Sequence, residues 1–70
     1  MSEVLMLEIN GELRPVPSVQ NVGQLLAQLG IVPERVAVEL NRRIVRRKDW
    51  STTPVSDRDR IEIVQFVGGG

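Results

Sequence analysis

The chain has 70 residues, of which 41% are hydrophobic and 26% charged, and its nine basic and nine acidic side chains cancel. This length and balance predict one small globular domain without the overall positive field that attracts nucleic acid. Cysteine and histidine are absent, which excludes disulfides, thiolate or imidazole catalysis and the commonest transition-metal ligands. We therefore expect a binding or carrier module, with no catalytic residue and no metal site.

The first predicted element is a β-hairpin. Residues 4–9 alternate with the period of a strand, an Asn-Gly pair follows, and residues 12–16 form the returning strand. A strict two-residue turn would set Ile9 opposite Glu12 and place charged side chains on the core face. A three-residue loop with a bulge sets Ile9 opposite Leu13, and we prefer it because register follows the hydrophobic face.

A helix is predicted next, over residues 22–29. Asn21 stands at the N-cap position, and Gln24 follows three residues later, as in a capping box. Four apolar residues recur at helical spacing on one face: Val22, Leu25, Leu26 and Leu29. Gly30 fits the left-handed position just after a helix, and Pro33 cannot continue one.

The rest of the chain is predicted to be mostly strand. The segments are, in order, a strand at 36–40, a turn at 41–42, a short returning strand at 43–45, a loop or helical turn at 49–54, a polar turn at 56–59 and a strand at 61–67. Trp50 is interpreted as the packing anchor of its loop. One helix can cover one mixed sheet with the last strand beside the first, so we predict an α+β roll of the β-grasp kind.

Three glycines end the sequence: Gly68, Gly69 and Gly70. Considered alone, they could be no more than a frayed end. However, a chain without Cβ atoms can enter a narrow tunnel and carry a terminal carboxylate into the active site of another protein. We therefore divide the chain into a β-grasp domain, residues 1–67, and a flexible glycine tail, residues 68–70.

The whole arrangement resembles the family of sulfur carrier proteins of thiamine biosynthesis (the ThiS family), which are ubiquitin-like β-grasp proteins. The resemblance covers nearly the whole chain, and it rests on the segments 7–12, 21–26, 36–41, 44–50, 57–64 and 67–70 in this order. Arg58 departs from the family, which usually has glycine between the two acidic residues of this turn. If the turn requires a positive φ, Arg58 is slightly strained.

The resemblance implies a mechanism in which this chain supplies no catalytic group. An E1-like activating enzyme would use ATP to adenylate the carboxylate of Gly70. A sulfur donor, such as a relay that starts at a cysteine desulfurase, would then displace AMP and leave a thiocarboxylate. Thiazole synthase would take up that sulfur. No other cofactor is implied.

A partner surface is predicted beside the tail. Val64 and Phe66 should point away from the helix, beside Val4 or Met6, and with Val67 they are assigned as the docking strip for both enzymes. The comparable face of ubiquitin-like proteins binds partners, by the same resemblance. The alternative is that these are scattered surface apolar residues without a common role.

The charged segments are given structural interpretations. The basic run from Arg42 to Lys48 lacks interleaved aromatic residues for stacking on bases, so it is interpreted as a solvated sheet edge or, less strongly, as a steering patch for an acidic partner. Asp57 and Asp59 are interpreted as turn formers, because two carboxylates in a turn make a poor calcium site.

Three other functions stay open at this point. The chain could be the small sulfur carrier subunit of molybdopterin synthase, a non-covalent ubiquitin-like interaction domain, or a modifier that is conjugated to lysines. No apolar stretch approaches the ~20 residues that span a membrane, and residues 1–3 lack the basic start of a secretory signal. We therefore expect a cytoplasmic protein with no membrane contact.

Overall fold

The structure is a computed structural model, and it describes residues 4–66. This part of the chain contains five strands and one α-helix: β1 (Val4–Ile9), β2 (Glu12–Pro17), α1 (Val22–Gln28), β3 (Val36–Leu40), β4 (Arg43–Val45) and β5 (Arg60–Gln65). Two short 3-10 turns lie at Pro33–Arg35 and Arg47–Asp49. The predicted bounds of the first, third and fourth strands are confirmed, and the second strand ends one residue later than predicted. The last strand was predicted over residues 61–67, but it begins at Arg60 and ends at Gln65, before Phe66. Residue 67 lies outside the described residues.

The strands form one mixed sheet in the order β2-β1-β5-β3-β4. β5 is parallel to β1 and antiparallel to β3, so the last strand lies beside the first, as predicted. The buried side chains of the sheet, of α1 and of the connecting segments form one apolar cluster: Leu7, Ile9, Val16, Val19, Val22, Leu25, Leu26, Val36, Val38, Trp50, Val55 and Ile61. The helix therefore covers one face of the sheet. The opposite face, here called the outer face, is not covered by any helix within residues 4–66. This confirms the β-grasp roll.

The preferred register of the first hairpin was wrong. Ile9 lies opposite Glu12, as a two-residue turn requires, and the two turn residues have φ angles of 51° and 82°, which is the type I′ geometry of an Asn-Gly turn. The physical reason is that β2 is an edge strand, and only its Val16 reaches the core. Glu12 remains exposed at the sheet edge, and Leu13 is 55% exposed on the outer face.

The helix is capped as predicted but ends one residue earlier. The Asn21 side chain accepts a hydrogen bond from the Gln24 amide at 2.8 Å, and the Gln24 side chain accepts one from the Gln20 amide at 2.8 Å. Leu29 is the C-cap rather than the last helical residue. Gly30 has the predicted left-handed conformation, with a φ of 71°.

The irregular segment before β5 is held by side-chain hydrogen bonds. Trp50 is buried, and its Nε1 donates to the Val45 carbonyl at 2.9 Å, which confirms its anchoring role. Asp59 accepts from the Ser56 amide at 2.8 Å, three residues earlier, as expected of a turn former. Asp57 instead accepts from the Met6 amide at 2.7 Å and so ties the turn to β1. Among residues 4–66, no cluster of three or more acidic side chains could hold a metal, and no helix is long and apolar enough to cross a membrane.

Candidate functional site

The candidate site is the C-terminal end of β5, which leads into the glycine tail. β5 is the central strand of the five in the described chain, and its side chain at Ile61 is fully buried. Five of its residues pair with β3, and its first two residues pair with β1. The segment that precedes the tail therefore begins in the best-packed part of the sheet.

The last residues of β5 run past the end of β1 and are held by other contacts. The Asn10 side chain bridges the backbone of Ile63, accepting from its amide at 2.7 Å and donating to its carbonyl at 3.2 Å. The Phe66 amide then donates to the Arg35 carbonyl at 2.7 Å. The chain is thus fixed by hydrogen bonds as far as Phe66, the last described residue. The predicted site residues Val67, Gly68, Gly69 and Gly70 lie outside the described residues.

Val64 and Phe66 lie on the outer face, as predicted. Ile63 pairs with the buried Val38 on the core face, so Val64 and its partner Ala37 point to the other side. The Val64 side chain is 59% exposed, and Phe66 is 55% exposed. We call Ala37, Val64 and Phe66 the outer apolar patch.

The predicted neighbours of this patch were wrong. The register of β1 and β5 sets Glu8 beside Arg60, so Met6 and Val4 lie toward the beginning of β5. Val64 lies four residues further along β5, past the end of β1. The parallel pairing separates the two groups, and the patch is completed by β3 instead.

Sequence reasoning missed two members of this face. Ala37 joins the patch because it is the cross-strand partner of Val64. Glu39 lies directly opposite Glu62 two pairs further along, which is the next pair on this face. Both glutamates are exposed. The two carboxylates lie beside the Ala37–Val64 pair and make an acidic border to the outer apolar patch. Like charges that face each other across strands repel, so this border does not favour folding. The signal was the β3–β5 register, which pattern analysis of single strands does not provide.

The basic run lies in and around β4, at the sheet edge opposite β2. β4 is an edge strand, as the interpretation of a charged sheet edge requires. Arg47 pairs with Glu34 at 3.2 Å, and Lys48 pairs with Asp49 at 3.2 Å, with all four side chains at least 45% exposed. Such pairs contribute little stability, so the run is mainly a solvated edge.

Comparisons with known proteins agree with this geometry. A family model described as the ThiS family matches residues 7–70. The chain is 36% identical to the sulfur carrier protein ThiS of Bacillus subtilis, over 93% of this chain and 100% of that protein. It is similar to the crystal structure of the thiamine biosynthesis protein ThiS of Geobacter metallireducens, with a TM-score of 0.80 and 36% identity over 94% of this chain and 100% of that one.

A further group of relatives is much longer. The chain is 42% identical to a thiazole synthase of Paramagnetospirillum magneticum, over 94% of this chain but 20% of that protein. A thiazole synthase of Magnetococcus marinus matches in the same way, at 36% identity. The chain spans about a fifth of the length of these two relatives.

Proposed function

Because the chain belongs to the ThiS family, we propose that it is a sulfur carrier protein of thiamine biosynthesis. In this proposal, the carboxylate of Gly70 is adenylated and converted to a thiocarboxylate, which donates its sulfur for thiazole formation. The observation that carries the proposal is that the family match extends to residue 70 and so includes all three terminal glycines. The same proposal places the protein in the cytoplasm, where ATP is available.

The chemistry follows from what a carboxylate can and cannot do. A free carboxylate is a poor electrophile, so one of its oxygens first attacks the α-phosphorus of ATP and releases pyrophosphate. The resulting acyl adenylate loses AMP when a persulfide sulfur attacks the acyl carbon. A thiol then cleaves the S–S bond and leaves the thiocarboxylate. The catalytic groups for these steps belong to the partner enzymes, and the chain itself has no thiol or imidazole.

The tail fits the role of a substrate for other active sites. Glycine has no Cβ, so three glycines in succession let the terminal carbon pass through a narrow channel and approach a bulky nucleotide. The Phe66 amide donates a hydrogen bond of 2.7 Å to the Arg35 carbonyl, and this bond fixes the residue from which the arm extends. Sulfur would be presented by an arm that leaves a rigid sheet.

The proposed partners are an E1-like adenylating enzyme, thiazole synthase and a sulfur donor supplied by a cysteine desulfurase. For thiazole synthase, support comes from the two longer relatives that carry its name and contain a stretch similar to this chain. A protein that is covalently joined to a similar stretch is a reasonable acceptor of its cargo. For the adenylating enzyme and the donor, support comes from the chemistry alone.

We assign docking of the enzymes to Val64, Phe66 and Val67. The first two are the exposed apolar residues nearest to the tail in the described chain. A small exposed apolar patch with a polar border is typical of transient interfaces. Since one carrier must leave each enzyme after one transfer, we expect weak complexes that dissociate rapidly in surface binding kinetics.

The docking assignment is tested by Val64→Asp, with Leu13→Asp as the matched control. Both residues are apolar, lie on the outer face and are similarly exposed, at 59% and 55%. Val64→Asp should weaken binding to the activating enzyme at least tenfold, whereas Leu13→Asp should change it less than threefold. Equal effects of the two substitutions would contradict the assignment.

Removal of Gly69 and Gly70 tests the role of the tail. The shortened chain should unfold at the same temperature as the full chain and should fail to support thiazole formation. Unchanged partner binding, together with unchanged growth of a thiamine-requiring strain that expresses the shortened chain, would indicate a non-covalent interaction domain instead.

Two further measurements address the other candidate functions. Replacing thiazole synthase by molybdopterin synthase in the same assay separates the two sulfur carrier functions. Slower-migrating protein adducts in cell lysates would indicate a conjugated modifier.

A further inference from the structure

A concavity lies on the outer face near the start of β5, at the opposite end of this strand from Phe66. Its volume is about 340 Å³, and its lining residues are Glu8, Asn41, Arg42, Arg58 and Arg60. Three arginines and one glutamate therefore line an open concavity whose volume is at the lower end of the range of small-molecule sites, roughly 300–1,000 Å³. The proposed sulfur carrier function uses none of these side chains.

The three arginines come from two segments, the β3–β4 turn and the residues around the start of β5, which hydrogen bonds hold together. Asn41 links the β3–β4 turn to β5, because its amide donates to the Arg60 carbonyl at 2.8 Å and its side chain accepts from the Arg60 amide at 2.9 Å. The Arg58 amide donates to the Met6 carbonyl at 2.7 Å. The positions from which the guanidinium groups extend are thus fixed by the fold.

Two of the arginines occupy backbone conformations that favour glycine. Arg42 has a φ of 72° and Arg58 a φ of 73°, both in the left-handed region. The other non-glycine residues with positive φ in the described chain are Asn10 and Asn41, and asparagine tolerates this conformation well. Both poorly suited residues are thus arginines of the same concavity. Strained residues of this kind cluster at functional sites.

The lining residues of the concavity carry three positive charges and one negative charge. Two further carboxylates, Asp57 and Asp59, lie in the same turn as Arg58, and Asp59 accepts a hydrogen bond from the Asn41 side chain at 3.1 Å. Arg60 pairs with Glu8 at 3.3 Å, and Arg58 pairs with Asp57 at 3.6 Å, but these side chains are 38–71% exposed. Arg42 forms no ion pair within residues 4–66. Such open pairs are weak, so the guanidinium groups remain available to an anion of higher charge.

We propose that this concavity, the arginine pocket, binds the phosphate or pyrophosphate group of a small molecule. A guanidinium group donates two parallel hydrogen bonds to phosphate oxygens, and several such groups together select a multiply charged oxyanion. The pocket lies about 17 Å from the end of β5, because five residues of strand separate Arg60 from Gln65. Its occupation therefore does not block the tail, and the proposal does not depend on sulfur transfer.

The test is a titration of the full chain with inorganic pyrophosphate at physiological salt. Isothermal calorimetry measures the affinity, and a parallel NMR titration follows the amide chemical shifts. The structure predicts saturable binding that shifts the amides of residues 41–42 and 57–60. Arg42→Gly should weaken binding about tenfold, the loss expected for one charge-assisted contact. Because glycine suits a φ of 72° better than arginine does, this variant should stay folded, so reduced binding cannot be attributed to unfolding.

Arg43→Gly is the matched control. It makes the same change in net charge one residue later, but Arg43 pairs with Leu40 on the core face and does not line the pocket. It should leave pyrophosphate affinity within twofold. Equal losses in the two variants would show a diffuse charge effect, and the absence of saturable binding would overturn the proposal.

Two further titrations test the chemical class of the ligand and separate this proposal from sulfur transfer. Citrate carries carboxylates in place of phosphates and should bind at least tenfold more weakly than pyrophosphate; equal affinity would overturn the phosphate assignment. A chain that lacks Gly69 and Gly70 should bind pyrophosphate as the full chain does. Pyrophosphate binding by this shortened chain would therefore support the arginine pocket even if the sulfur carrier function failed its own test.

Discussion

The two hairpin turns of the sheet offer a pair of opposite substitutions at equivalent positions. Both are two-residue turns whose central residues have positive φ: Asn10-Gly11, with 51° and 82°, and Asn41-Arg42, with 51° and 72°. The first turn has glycine at its second position, and the other has arginine. Arg42→Gly should therefore stabilise the protein, and Gly11→Ala should destabilise it.

The expected magnitudes follow from backbone conformation. A left-handed conformation costs a residue with a Cβ roughly 1–2 kcal/mol, and glycine in its place loses about 0.4–1 kcal/mol through the greater entropy of the unfolded chain. Arg42→Gly should thus raise the free energy of unfolding by about 0.5–1 kcal/mol, or Tm by about 3–6 °C in a domain of this size. An added Cβ at Gly11 would meet no atom within 4 Å, so Gly11→Ala should lower it by about the same amount.

Trp50 provides the assay. It is the only tryptophan in the sequence and is 6% exposed, so its fluorescence reports the loss of the core during urea or thermal unfolding. Arg43→Gly is the control, because it makes the same change in β4, where glycine should cost about 0.5–1 kcal/mol. If Arg42→Gly lowered stability as Arg43→Gly does, the reasoning from positive φ would be refuted.

Three more substitutions test the core, the helix cap and the tryptophan anchor by the same unfolding measurement. Ile61→Ala empties a fully buried position in the central strand and should lower the free energy of unfolding by about 2–5 kcal/mol; a loss below about 1 kcal/mol would show that the site is loosely packed. Asn21→Ala removes the hydrogen bond from the Gln24 amide and should cost about 1 kcal/mol, which Asn21→Ser should largely restore. Trp50→Phe removes the donor to the Val45 carbonyl and should cost about 1–3 kcal/mol, and a neutral result would argue against this anchor.

Local patterns in the sequence predicted most of the fold, because each element carries its own signal. Alternation defined β1 and β3, and the capping side chains of Asn21 and Gln24 located the start of the helix. The first hairpin failed because the hydrophobic pattern was given more weight than the turn. In an edge strand, Leu13 can remain exposed, so the geometry of the Asn-Gly turn decides the register.

The candidate sites were harder to predict from the sequence, because they depend on pairing between distant segments. Alternation was sufficient to place Val64 and Phe66 on the outer face, but only the β3–β5 register brings Ala37 beside them. The arginine pocket combines a hairpin turn with the segment before β5. The only expectation that concerned this pocket was the strain at Arg58 if its turn required a positive φ, and the observed φ is 73°.

The measurement that tests the central claim most directly is the intact mass of the chain after incubation with ATP, a sulfur donor and the activating enzyme of its own host. The account predicts a species heavier by the difference between one sulfur and one oxygen atom, mapped by fragmentation to Gly70 and lost when thiazole synthase and its substrates are added. The chain without Gly69 and Gly70 should stay unmodified. An unchanged mass of the full chain, with the activating enzyme shown to adenylate an authentic carrier, would contradict the sulfur carrier function.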